Sequence, residues 1–237
     1  MKQIKKPGFT IIEVMLFVAI SGLMVVGLMI GTGTAIQRQE YRDAVQSYAN
    51  FLRDQYSGVI SVENDRPADQ ACPLIGGGGG AGVVARGQSR CVIIGRYITI
   101  DNDTGERYVV RPVFAAEQSS GWSYALGQVD AEYETLWGVR TRLAGQADDM
   151  ARLGLLIYRD PSTGLLRVRA SPATYGSDQI GVLVSGAAGV ASDAASHELC
   201  VDPYGLMAGS AQSVFVASRS GSADAISVSN ATGGCSA

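Results

Sequence analysis

The fold of this chain is decided by residues 5–14, KKPGFTIIEV, and by the apolar run that continues from them to Ile36. No charged side chain follows Glu13 until Arg38, so residues 14–37 form an uncharged stretch of 24 residues. A helix of roughly 20 residues is enough to cross the hydrocarbon core of a bilayer. The sequence therefore predicts that the start of the chain inserts into a membrane.

A secretory signal peptide is the first alternative for this segment. Such a signal has a basic start, an apolar stretch of about 7–15 residues and a small-residue cleavage site after that stretch. Lys2, Lys5 and Lys6 provide the basic start, but the apolar run is longer and no A-x-A site follows it. The small residue, Gly8, lies before the apolar run instead.

The succession of lysines, Gly8, Phe9, an acid at Glu13 and a long apolar run resembles the class III leader of type IV prepilins and type II secretion pseudopilins. In that family a prepilin peptidase cuts after the glycine on the cytoplasmic side and methylates the new first residue. The resemblance implies cleavage between Gly8 and Phe9, methylation of Phe9 and a role for Glu13 as the family's fifth-position glutamate.

Glu13 has two interpretations. A carboxylate at the bilayer centre costs roughly 2.5–3.5 kcal/mol, so an acid in an apolar segment indicates function. After cleavage Glu13 would lie one helical turn beyond the Phe9 amine, near the positive end of the helix dipole, where an acid is tolerated. The resemblance implies more: the carboxylate pairs with the Phe9 amine of a neighbouring subunit and sets the axial register of a filament.

The sequence divides into four segments: the leader 1–8, a hydrophobic helix 9–36, an amphipathic helix 37–62 and a head domain 63–237. Apolar residues three or four apart predict that the amphipathic helix packs against the head; they are Tyr41, Val45, Tyr48, Leu52, Tyr56 and Val59. Four glycines weaken the hydrophobic helix by roughly 1 kcal/mol each; they are Gly22, Gly27, Gly31 and Gly33. They indicate either close helix packing or a segment that extends in a filament.

The head is predicted to be β-rich, which makes the fold class α+β, with an antiparallel sheet. Three pairs of apolar segments, the first of them rich in β-branched residues, flank turn signals and predict hairpins; they are 92–100 with 107–114, 153–158 with 165–170, and 214–218 with 225–229. In the second pair Arg167 and Arg169 alternate with apolar residues, which predicts one buried and one solvated face. A short helix is expected over Ala131–Leu143.

The four cysteines lie beyond the membrane segment, and their even number suggests two disulfides. Of the three pairings we favour Cys72–Cys91 and Cys200–Cys235, because each pair is nearest in sequence. The second pair also resembles the C-terminal disulfide loop of pilins. Zinc binding is the alternative, but the chain has no C-x-x-C motif and one histidine. We expect no metal, no cofactor and no enzymatic activity.

The net charge of −3 becomes −6 without residues 1–8, because three lysines leave and 16 basic residues remain against 22 acidic ones. That balance disfavours general nucleic-acid binding. The glycine run 76–80 lacks the Gly-Lys-Ser/Thr ending of a phosphate loop and is expected to be a flexible loop. Five residues indicate an aromatic and basic surface for DNA or a glycan; they are Trp122, Tyr124, Trp137, Arg140 and Arg142. The alternative is that the two tryptophans belong to the core.

The expected protein is a structural filament subunit, a pilin and by its length a minor pilin or pseudopilin. The resemblance implies other pilin subunits, a prepilin peptidase and an inner-membrane assembly platform as partners. It also implies a single-pass precursor in the cytoplasmic membrane with its head outside the cytoplasm, and later an extracellular or cell-envelope filament. Two alternatives remain: a minor subunit whose head binds DNA or a host surface, and an uncleaved monomeric membrane-anchored protein.

Overall fold

The computed structural model describes residues 10–61, 72–74, 91–101, 104–147, 151–186, 195–206 and 210–235. Within them one long N-terminal helix, α1 (Ile11–Ile60), is followed by antiparallel sheets, so the fold is α+β as predicted. The leader 1–8, Phe9 and the glycine run 76–80 lie outside the described residues.

The described part of the head contains ten strands. They are β1 (Cys91–Ile100), β2 (Arg107–Gln118), β3 (Gly121–Leu126), β4 (Ala131–Glu134), β5 (Arg140–Leu143), β6 (Gly154–Arg159), β7 (Leu166–Ser171), β8 (Ser196–Asp202), β9 (Gln212–Ala217) and β10 (Ile226–Asn230). A short helix, α2 (Ile180–Ser185), follows β7, and two 3-10 turns span Leu136–Gly138 and Ala223–Ala225.

The strands form two antiparallel sheets. The larger has the order β3-β2-β1-β6-β7, with β4 also paired to β2, and the smaller has the order β10-β9-β8-β5. The three predicted hairpins are confirmed as β1–β2, β6–β7 and β9–β10. Apolar segments on either side of turn signals therefore located six of the ten described strands.

The main core lies between the second half of α1 and both sheets. All six residues of the predicted stripe, Tyr41 to Val59, are buried there, so the amphipathic helix is confirmed. They contact apolar side chains of the larger sheet, such as Ile98 and Leu155, and of the smaller sheet, such as Val214. A second apolar cluster lies between α2 and the larger sheet.

The helix expected over Ala131–Leu143 is wrong. The segment forms β4, the 3-10 turn Leu136–Gly138 and β5, which belong to two different sheets. Trp137 and Gly138 have φ angles of 60° and 68°, which an α-helix does not accept. β4 pairs with β2, which places Tyr133 opposite Tyr108. This pairing stabilises residues 131–134 as a strand.

The solvated face expected for β7 is also wrong. Arg169 is buried at 7 % exposure, and its Nε donates a hydrogen bond to the Tyr158 hydroxyl at 3.2 Å. The Tyr158 hydroxyl in turn donates to the Val184 carbonyl at 3.0 Å. α2 therefore covers the face of β7 on which Arg169 lies. The alternation of residues predicted that this face is exposed to solvent, but the guanidinium of Arg169 is buried there.

The packing of α1 leads to a first prediction. Leu52 has no exposed surface and contacts the main core, so Leu52→Ala should lower the free energy of unfolding by about 2–5 kcal/mol. Urea unfolding of the detergent-solubilised chain, followed by near-UV circular dichroism, measures the change. Gln46→Ala, at an exposed position of the same helix, is the control and should stay within about 0.5 kcal/mol. Equal effects of both variants would contradict the packing.

Candidate functional site: the uncovered half of helix α1

The first half of α1, residues 11–36 and called here the uncovered half, touches little of the protein's own head. Sixteen large apolar side chains on it are exposed: Ile11, Ile12, Val14, Met15, Leu16, Phe17, Val18, Ile20, Leu23, Met24, Val25, Val26, Leu28, Met29, Ile30 and Ile36. At about 1.5–3 kcal/mol each, their burial is worth on the order of 30 kcal/mol. A folded domain is stable by only about 5–15 kcal/mol, so this surface requires a cover.

The uncovered half is long and apolar enough to cross a membrane. Its best 18-residue window has a mean hydropathy of 2.5, and none of that window is buried against the rest of the described chain. The core helix of a water-soluble protein can be equally apolar, but it is covered by its own domain. The exposure of this helix therefore points to lipid or to other subunits as its cover.

The hydroxyls of the two threonines within the uncovered half are satisfied inside the helix. The Thr32 hydroxyl donates to the Leu28 carbonyl at 2.9 Å, and the Thr34 hydroxyl donates to the Gly31 carbonyl at 3.0 Å. Such bonds remove the cost of placing a hydroxyl among apolar groups. The helix surface is thus compatible with an apolar surrounding despite its threonines.

The four glycines of this half lie in an unbroken helix, so an extended segment is not observed. A Cβ built at Gly22, Gly27, Gly31 or Gly33 meets no atom within 4 Å. The described residues of the head therefore give no packing reason for these glycines. Small residues allow neighbouring apolar helices to approach closely, and that contact would have to come from another chain.

Thr10 caps the start of α1, a role that was not predicted from the sequence. Its backbone is extended, and its hydroxyl oxygen accepts a hydrogen bond from the Glu13 N–H at 3.3 Å. Thr10 and Glu13 thus have the spacing of a capping box, the T-x-x-E signal by which the cap could have been found. Glu13 lies in the first turn of the helix, where the dipole favours a negative charge.

The second half of α1, residues 37–60 and called here the packed half, is fixed to the head by tyrosine hydroxyls. The Tyr41 hydroxyl donates to the Val201 carbonyl at 2.8 Å and accepts from the Gln212 N–H at 2.7 Å. The Tyr56 hydroxyl donates to the Ser220 carbonyl at 2.7 Å. Burial raises the pKa of both tyrosines, so these donors keep their protons.

A buried tyrosine pair joins the middle of the packed half to the larger sheet. The Tyr108 hydroxyl, on β2, donates to the Tyr48 hydroxyl at 3.1 Å and also contacts the Thr141 hydroxyl. Phe51 and Tyr133 stack beside this pair with ring centroids 4.3 Å apart. The helix and the head therefore form one packed unit, and the uncovered half projects from it.

The structure contains two disulfides, Cys72–Cys91 and Cys200–Cys235, which are the pairs favoured from sequence. The second ties the C-terminal segment to β8. Near it, Arg142 Nη2 donates to the Cys235 carbonyl at 3.3 Å. The C-terminus is thereby held on the smaller sheet, close to the core that supports α1.

The five residues proposed as an aromatic and basic surface do not form one. Arg142 is buried and donates to backbone carbonyls, while Trp122 and Tyr124 pack against the second apolar cluster. Trp137 is 56 % exposed, so the expectation of a core tryptophan is wrong for it. Arg140 alone keeps an aromatic partner, because its guanidinium carbon lies 3.3 Å from the ring centroid of Tyr204.

His197 has a structural role in the described chain. It is buried on β8, and its Nε2 lies 3.3 Å from the Val168 carbonyl and 3.2 Å from the Ser218 hydroxyl. These contacts join β7 of the larger sheet to the smaller one. The nearby Cys200 is in a disulfide and offers no thiol.

No protein-family model matches the chain, and neither the curated proteins nor the solved structures include a significant match. Function is therefore inferred from the chain's own residues and geometry.

The C-terminal disulfide supplies a second prediction. It spans 35 residues, and replacement of both Cys200 and Cys235 by serine should lower the free energy of unfolding by about 4 kcal/mol, because the unfolded chain gains loop entropy. Thermal unfolding of the purified chain measures the effect. Ser229→Ala, at an exposed position of β10, is the control, and a double variant as stable as this control would contradict the prediction.

Proposed function

We propose that the chain is a structural subunit, a minor pilin or pseudopilin, of a type IV pilus-like filament. The observation that carries the proposal is the uncovered half of α1, which exposes sixteen large apolar side chains and is not covered by the described residues of the head. A prepilin peptidase would remove residues 1–8, and the subunit would polymerise through the new N-terminal helix.

The apolar surface of the uncovered half suits both proposed stages, the membrane-inserted precursor and the filament subunit. In the cytoplasmic membrane, lipid covers the uncovered half and the head lies outside the cytoplasm. In the filament, equivalent helices of other subunits cover it, with the inner-membrane assembly platform moving the subunit from one surrounding to the other. Transfer between two apolar covers avoids exposing the surface to water, which would cost on the order of 30 kcal/mol.

Glu13 would set the docking position in the filament. Apolar contact is non-directional, so helices without a polar group could slide along each other. A carboxylate in the first turn, paired with the Phe9 amine of a neighbour, is satisfied at one register and unpaired at others. An unpaired charge in an apolar surrounding is costly, and this difference selects the register.

The third prediction tests this role. Glu13→Gln removes the charge and keeps the size of the side chain, so membrane insertion should be unchanged while filament formation is lost or strongly reduced. Flotation with membranes reports insertion, and electron microscopy of sheared cell-surface material reports filaments.

Asp43→Asn is the matched control, because Asp43 is an exposed acid on the packed half of the same helix. It should leave both readouts unchanged. Normal filaments with Glu13→Gln would overturn the register role.

A second candidate function, binding of DNA by the head, is supported by one observation. A groove of about 520 Å³ at the end of α1 is lined partly by arginines, Arg159, Arg167 and Arg219. Arg159 donates to the carbonyls of Ile60 and Gly164. Arg167 lies 3.4 Å from the Asp160 carboxylate, while Arg219 is exposed. The groove thus offers one exposed cation beside two that have internal partners.

The fourth prediction belongs to this candidate. The detergent-solubilised chain should retard a DNA duplex in a gel at low salt, and Arg219→Gln should weaken that binding and its salt dependence. Arg111→Gln, at another exposed arginine on β2, is the control. Absence of a shift at low salt would remove DNA binding as a function of the head.

A further inference from the structure

Arg140 contacts the ring of Tyr204, and the exposed residues Leu136 and Trp137 come just before Arg140 in the chain. Together they are called here the basal surface, which consists of Leu136, Trp137, Arg140 and Tyr204. Leu136 is 44 % exposed, Trp137 is 56 % exposed and Tyr204 is 59 % exposed. The guanidinium of Arg140 lies over the Tyr204 ring and also donates to the Glu106 carboxylate at 2.9 Å.

The course of β4 places this patch beside the start of the packed half. Just before β4, Asp130 lies 3.4 Å from Arg96, which also bonds to Gln55 near the far end of α1. Farther along, the Tyr133 hydroxyl donates to the Ser47 hydroxyl at 3.1 Å. β4 therefore runs toward the N-terminal end of the packed half, and the 3-10 turn after it packs against α1.

The smaller sheet brings the rest of the patch to the same place. Arg140 on β5 pairs with Asp202 on β8, and the preceding carbonyl, of Val201, accepts the hydrogen bond from Tyr41. Tyr204 follows two residues after Asp202. The basal surface therefore lies beside the point at which α1 leaves the head.

The backbone holds both aromatic rings at this point in an uncommon conformation. Trp137 and Tyr204 are the two non-glycine residues with positive φ in the described part of the chain, at 60° and 32°. Each precedes a glycine with positive φ, Gly138 and Gly205. Bulky residues rarely adopt such angles, and such strain is concentrated at functional sites. Two unrelated turns thus present an aromatic ring outward on one surface.

The spacing of residues along α1 gives the position of the basal surface relative to the membrane. Tyr41, the first buried residue of α1, comes five residues after Ile36, the last large exposed apolar residue of the uncovered half. Five residues of helix rise about 7.5 Å. The headgroup layer of a bilayer is about 5–7 Å thick on each side of the hydrocarbon core. As a helix, residues 11–36 span about 39 Å, more than the roughly 30 Å of the hydrocarbon core, and a tilted helix accommodates the difference. With Ile36 at the outer edge of that core, the patch lies at headgroup depth, where tryptophan and tyrosine are enriched in membrane proteins.

We infer that the basal surface is a lipid-contact site, which seats the head of the unassembled subunit in the headgroup layer of the membrane that holds α1. This inference rests on the proposed membrane-inserted stage of the subunit. Because Glu106 pairs with Arg140 and Asp202 lies beside it, the contact depends on ring insertion and not on attraction to anionic lipid. Phosphatidylcholine, which carries no net charge, is therefore a sufficient partner.

Tryptophan fluorescence of the full chain tests this inference. The chain has two tryptophans, Trp122 and Trp137, so the difference between the wild-type and Trp137→Phe spectra reports Trp137 alone. The chain is reconstituted at high dilution into phosphatidylcholine vesicles whose acyl chains carry bromine either near the headgroup or near the chain end. The Trp137 signal should be blue-shifted, and it should be quenched more by the shallow bromine than by the deep one.

The outcomes separate the two proposals. Trp122 packs against the second apolar cluster, so the Trp137→Phe spectrum should show no such quenching in either kind of vesicle. Vesicles that float with the chain while Trp137 stays unquenched would overturn the lipid contact and leave the filament proposal standing. Shielding of Trp137 only in assembled filaments would also overturn it, by identifying a second copy as the occupant. A chain that does not float with vesicles would contradict the membrane stage itself.

Discussion

The structure depends on one imbalance: a 50-residue helix buries its second half in its own head and leaves its first half without a cover. The exposed apolar side chains outweigh the stability of an ordinary domain several-fold. The described residues of the head provide no surface that folds back over them. In the proposed cycle, lipid and then the helices of other subunits supply the cover.

The junction between the two halves gives this arrangement its rigidity. The hydroxyls of Tyr41, Tyr48 and Tyr56 reach carbonyls or hydroxyls of both sheets, while their rings fill the main core. Burial raises the pKa of Tyr48 by removing its hydroxyl from water, so the network stays protonated and donating. A force applied along the uncovered half, as in a filament, would therefore be transmitted to the head through packed side chains.

Local sequence signals predicted those parts of the fold that depend on spacing along the chain. The stripe from Tyr41 to Val59, the three hairpins and the nearest-neighbour disulfides follow from helical period, turn residues and loop length. The predictions were wrong where contacts with elements distant in sequence determine the local structure. Residues 131–134 form a strand because they pair with β2, and Arg169 is buried because α2 covers it. The basal surface needs Leu136–Gly138 and Tyr204, which are far apart in sequence, so no local pattern could reveal it.

The most direct test of the central claim is the N-terminus of the chain recovered from filaments sheared off cells. Mass spectrometry of the N-terminal peptide should find a chain that begins at methylated Phe9. Such a result would place the uncovered half in a processed, polymerised subunit. A chain that begins at Met1 and occurs only in the membrane fraction would contradict the account and identify an uncleaved membrane-anchored protein.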